Sequence, residues 1–96
     1  MLNENERQQL AEKLAGLALG KARKEVRRLD KEANLKVWRN SVRRELQTVY
    51  ELPNLGVRVI LIELPEAKPM EGVNKIKMSY FFTEARVEPW TPPQAN

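Results

Sequence analysis

Apolar positions recur at steps of three and four through the first half of the chain and at steps of two in its second half. Leu10, Leu14, Leu17 and Ala18, with Ala11 beside them, share one face of a helix, so the N-terminal segment reads as amphipathic. Asn3 or Asn5 is placed to cap it, and Glu4 and Glu6 fall in the first turn, where carboxylates suit the helix dipole. Gly16 and Gly20 have the spacing of a close helix–helix contact. The simpler expectation is that the helix ends or kinks at Gly20, because glycine is costly inside a helix.

The helical period resumes over 21–33, where Ala22, Val26, Leu29 and Ala33 form an apolar stripe. Over 34–50, Leu35, Trp38, Val42, Leu46 and Val49 keep steps of three and four, which predicts more helix. That helix either continues the preceding one or is separated from it by a turn near Asn34. Trp38 is then expected as a core anchor between helix and sheet.

Pro53, Asn54 and Gly56 form a turn cluster, and the β part begins after it. Residues 57–64 (VRVILIEL) are β-branched and apolar on both faces, the mark of a strand covered on both sides. A polar connector with two prolines follows at 65–72. Residues 73–83 then alternate, with Ile76, Met78, Tyr80 and Phe82 inward and Lys75, Lys77 and Ser79 outward. Residues 84–88 are a short third strand or an extension of the second.

The expected fold is therefore α+β: two or three N-terminal helices followed by a small antiparallel β hairpin or three-stranded meander. Residues 1–88 form one domain, and 89–96 a proline-rich extended tail in which Pro89, Pro92 and Pro93 cannot donate to a sheet. A strand apolar on both faces in so small a sheet is poorly covered in a monomer, so a homodimer, or alternatively an obligate partner, is expected.

Composition narrows the chemistry. With neither histidine nor cysteine among its 96 residues, the chain has no Ser-His or Cys-His nucleophile, no disulfide and no thiolate or imidazole metal site. Glu66 and Lys68 have the E-x-K spacing of metal-dependent nucleases, but between Pro65 and Pro69 they lack the strand context that motif needs. No catalytic residue, metal or cofactor is assigned, and the chain reads as non-enzymatic. Without a signal peptide or a long apolar run, a cytoplasmic protein that does not enter membranes is expected.

Charge adds the main functional clue. The formal net charge is +4, yet residues 21–44 hold ten Lys or Arg against three acids. Local i to i+4 pairing cannot neutralise that excess, so a purely solvated helix face is the weaker explanation. Lys21, Lys24, Arg28 and Lys31 lie opposite the apolar stripe of 21–33, with Arg27 and Arg23 widening the arc. Such a stripe can follow a phosphate backbone and release counterions.

Lys36, Arg39, Asn40 and Arg43 add residue types that read base edges, with Gln47 nearby. The expected function is a small DNA- or RNA-associated protein using Lys21, Lys24, Arg27, Arg28, Lys31, Lys36, Arg39, Asn40 and Arg43. The alternative is an adaptor or inhibitor that docks its basic face on an acidic protein, with Trp90 as a partner-binding anchor. Tyr80, Phe81 and Phe82 suggest stacking, but alternation leaves only Phe81 on the lysine-bearing face, so they are read as core.

Overall fold

The computed structural model describes residues 1–40, 44–65 and 80–93. Helix α1 (Glu4–Ala15) begins where the Asn3 side chain accepts from the Glu6 backbone N–H at 2.8 Å and the Glu6 carboxylate accepts from the Asn3 N–H at 3.0 Å. This reciprocal capping box satisfies two donors that the first turn would otherwise leave open. The helix stops at Gly16, and α2 (Leu19–Leu29) starts within three residues. The break thus falls at Gly16 rather than Gly20. Gly20 lies in the first turn of α2 with open space around it, so it mediates no close helix contact.

Four strands follow: β1 (Asn34–Asn40), β2 (Glu45–Leu52), β3 (Val57–Pro65) and β4 (Tyr80–Pro89). They form one antiparallel sheet in sequential order, β1-β2-β3-β4. The α+β class holds, with two helices before a four-stranded sheet in place of the expected hairpin or three-stranded meander.

The predicted helix over 34–50 is overturned, since this stretch is the β1–β2 hairpin. Its residues satisfy two periods at once. Leu46, Thr48, Tyr50 and Leu52 alternate as well as Leu46 and Val49 step by three, and Val, Thr, Trp and Tyr favour a pleated surface. The choice falls to tertiary pairing: Leu46 to Leu52 pair residue by residue with β3, from Leu46 opposite Glu63 to Leu52 opposite Val57. Arg44, just before β2, has φ 56°, a left-handed backbone suited to closing a hairpin and foreign to a continuous helix.

The expected strand at 57–64 is β3. The alternating segment 73–83 lies mostly outside the described residues, as do Glu66 and Lys68. From Tyr80 onward the chain is β4, which ends at Pro89 opposite Val57. Trp90 then donates its N–H to the Gly56 carbonyl at 2.9 Å.

Both helices pack on one face of the sheet. Leu14, Ala22 and Val26 meet Tyr50, Leu52, Val57, Val59, Leu61 and Ala85 there, and most of these are fully buried. The apolar stripe of α2 is therefore occupied by the protein's own sheet. On the opposite, helix-free face, Val49, Ile60 and Ile62 form a small second cluster, each under 10% exposed. With these three buried as well, both faces of β3 are covered within one chain.

At the end of α2 sits a buried polar clamp. Asp30 Oδ2 accepts the Asn54 backbone N–H at 2.9 Å, and Asp30 Oδ1 accepts Asn54 Nδ2 at 2.8 Å and the Glu32 N–H at 2.9 Å. One carboxylate thus ties the end of α2 to the β2–β3 turn.

Candidate nucleic-acid interface

The burial pattern of α2 sorts its charges. Ala22 and Val26 are buried and Leu29 is half-buried, so the helix turns Lys21, Lys24, Arg27 and Arg28 toward solvent, and all four are exposed. Arg28 is engaged: its Nε donates to Glu25 Oε1 at 3.1 Å, and Lys13 Nζ lies 3.7 Å from the same oxygen. The Arg28 hydrogen bond, more than any other influence, holds the Glu25 carboxyl below its ordinary value. Arg23 points the other way, 4.0 Å from the buried Glu63 carboxylate.

Lys21, Lys24 and Arg27 differ from these two. No carboxylate of the described residues lies within ion-pair distance of any of them, so their charge stays unneutralised. Lys31 is also exposed and has no carboxylate partner among the described residues, but it falls in the turn after the helix. It extends the basic surface without belonging to the helical stripe.

The second half of the predicted site is dispersed, because a strand sends alternate residues to opposite faces. Lys36 and Trp38 lie in the helix-free row of β1, Arg39 in the row on the helix side, and Asn40 ends the strand. Arg43 lies outside the described residues. A helical Arg39–Asn40–Arg43 ridge for a major groove is therefore not formed. Arg39 alone stays on the side of the sheet that carries α2, in the register row through Leu46 and Glu63.

Lys36 is neutralised at 3.2 Å by Glu51. The expectation that Trp38 is a core anchor also fails, for it is 60% exposed. On a strand it faces away from the helices, and it flanks an open cleft of about 240 Å³ with Lys36, Gln47, Val49, Glu51, Arg58 and Ile60.

The described cations of that helix-free face are all paired. Arg58 meets Glu88 at 2.7 Å and Arg86 meets Glu84 at 2.9 Å. Glu51, Arg58 and Glu88 make a row of alternating sign across three strands, Lys36 joins Glu51, and among the described residues cations do not exceed acids there. A polyanion would gain little from this side. Of these pairs only Lys36 with Glu51 depends on 34–50 being a hairpin, and the alternation of Leu46, Thr48, Tyr50 and Leu52 is the sequence signal for that hairpin.

Trp90 is half-buried and lines a cleft of about 530 Å³ with Leu35, Lys36, Glu51, Pro53, Pro92 and Pro93. The backbone bond to Gly56 draws it back against the body of the protein. Among the described residues no cluster of carboxylates could hold a metal ion, and no helix is long and apolar enough to cross a membrane. Comparisons with protein-family models, curated proteins and solved structures return no match for this chain.

Proposed function

We propose that this chain is a small, non-enzymatic, cytoplasmic protein that associates with DNA or RNA through the outward face of α2, and that it acts as a homodimer. The observation that carries the reading is the set Lys21, Lys24 and Arg27, exposed and without carboxylate partners, on a helix whose other face is fixed to the sheet. A rigid helix presents these charges at constant spacing, so phosphate contact costs little ordering of the backbone. Lys31 and Arg39 border the same surface, while the helix-free face contributes none of the affinity.

Titration of the full chain with DNA, RNA and an acidic polypeptide over a salt series tests this. Nucleic-acid affinity falls linearly on a log–log plot, and changing Lys21, Lys24 and Arg27 together to alanine lowers the slope by roughly 3, about 0.9 per phosphate contact. Undetectable nucleic-acid binding at ~50 mM salt, where the counterion term is strong, removes the proposal. Tight binding of the acidic polypeptide without nucleic-acid binding gives the adaptor alternative instead.

A further inference from the structure

The two edges of the described sheet are built differently. β4 carries Glu84, Arg86 and Glu88, shifts register between Ile62 and Glu63, ends in Pro89 and is packed by α1. Charge, irregularity, proline and a covering helix are all devices that stop a sheet from adding strands. β1 has no bulge, no proline and no covering helix. Its seven residues keep unbroken register with β2, and Leu35 and Val37 are 47% and 61% exposed on one face while Trp38 is exposed on the other. Of the five large apolar side chains exposed among the described residues, three belong to this strand.

We infer that β1 pairs antiparallel with β1 of a second copy, about a two-fold axis normal to the sheet through Val37, to give one eight-stranded sheet. This rests on the self-association in the proposed function and specifies its interface; it does not depend on nucleic-acid contact. The original reason for a dimer, an uncovered face of β3, is gone because that face is shielded within the chain. The need for a partner moves to β1.

Register and charge select the second copy and the axis. Directly opposed residues of an antiparallel pair share a face, so a two-fold normal to the sheet must pass through a residue of β1. An axis at Val37 pairs all seven residues. It sets Lys36 against the partner's Trp38, a cation–aromatic contact made twice, and Arg39 against the partner's Leu35. No like charges are opposed. An axis at Lys36 or Arg39 would oppose identical cations, and an axis at Trp38 would leave two residues of each strand unpaired. On the helix side, Leu35 and Val37 of both copies come together in the space that α1 and α2 leave open. The two α2 helices then lie on the same side of the joined sheet.

Light scattering on size-exclusion eluate at tens of micromolar tests the inference. The wild-type chain elutes at twice its 11.2 kDa. Val37→Lys and Val37→Glu are each monomeric, since each opposes like charges across the axis, and an equimolar mixture of the two returns to the dimer mass. Because Val37 is exposed, both variants keep the wild-type circular dichroism spectrum. As a second readout, the chain has no cysteine of its own, and Val37→Cys oxidises to a disulfide-linked dimer at a site where opposed Cβ atoms lie about 5 Å apart.

A monomeric wild type overturns self-association and this interface together. Dimers that persist in both charged variants overturn the β1 edge while leaving self-association standing. A mixture that stays monomeric, with no disulfide from Val37→Cys, overturns the axis at Val37.

Discussion

Replacing Asp30 by alanine releases the end of α2 from the β2–β3 turn, and the structure sets the size of the effect. Asp30 is 3% exposed and its carboxylate accepts three hydrogen bonds. Bonds to a charged group contribute about 1.5–3 kcal/mol each when the donors are stranded in the interior. Glu32 and Asn54 are at the surface, so water can reach their freed donors and the cost per bond drops to ~1 kcal/mol. The expected loss is therefore about 2–3 kcal/mol, which lowers Tm by roughly 10–20 °C in a domain of this size.

Urea denaturation of the wild type, Asp30→Ala, Asn54→Ala and the double variant measures it, with a coupling of ~1 kcal/mol for the side-chain bond that both single variants remove. The pH dependence gives an independent check. Burial alone would push the Asp30 carboxyl up and is the largest single influence. The bonds from the Glu32 N–H and from the Asn54 side chain and backbone together outweigh it and hold the group below its ordinary 3.8. A depressed carboxylate stabilises fully above its unfolded value and loses that contribution as pH falls through the lower folded value. The gap between wild type and Asp30→Ala therefore stays level from neutral pH to about pH 4.5 and closes below about pH 4. A loss under ~0.5 kcal/mol, or a gap that widens on acidification, would refute the clamp.

Two smaller changes probe the same frame. Gly56 has φ 65°, and its carbonyl receives the Trp90 N–H, so Gly56→Ala should cost about 1–2 kcal/mol through left-handed strain. The contact its new methyl would make is with the flexible end of Met1, so Gly56→Asn, which tolerates this backbone, should cost less in the same urea experiment. Glu63 is buried with an oxygen that no group of the described residues hydrogen-bonds, and among them Arg23 alone, at 4.0 Å, forms an ion pair that offsets its desolvation. Glu63→Leu should leave thermal stability unchanged or raise it by ~1 kcal/mol; a clear loss would show that the Arg23 pair outweighs the cost of burial.

Local signals carried α1, most of α2 and the central strand. The Asn3 cap with Glu6 three residues on, the opposed apolar and basic faces of α2, and the β-branched run of β3 each have one low-energy solution near in sequence, but the first break falls at Gly16 rather than Gly20 and α2 ends at Leu29, short of Lys31 and Ala33. The exposure of Lys21, Lys24 and Arg27 was also legible, because a helix whose apolar stripe is buried must show its opposite face to water, whereas the pairing that takes Arg28 out of the stripe, to Glu25, emerged only in the structure.

Residues 34–50 were decided elsewhere. Their apolar positions fit a period of two as well as one near 3.6, so local preference did not discriminate. The hydrogen-bonding edge of β3, reached through the turn at 53–56, settled the matter by pairing with Leu46 to Leu52. That single choice scattered Lys36, Trp38 and Arg39 over two faces of a sheet. It brought Lys36 against Glu51 on the helix-free face, and it left an edge strand whose Leu35, Val37 and Trp38 side chains stay exposed.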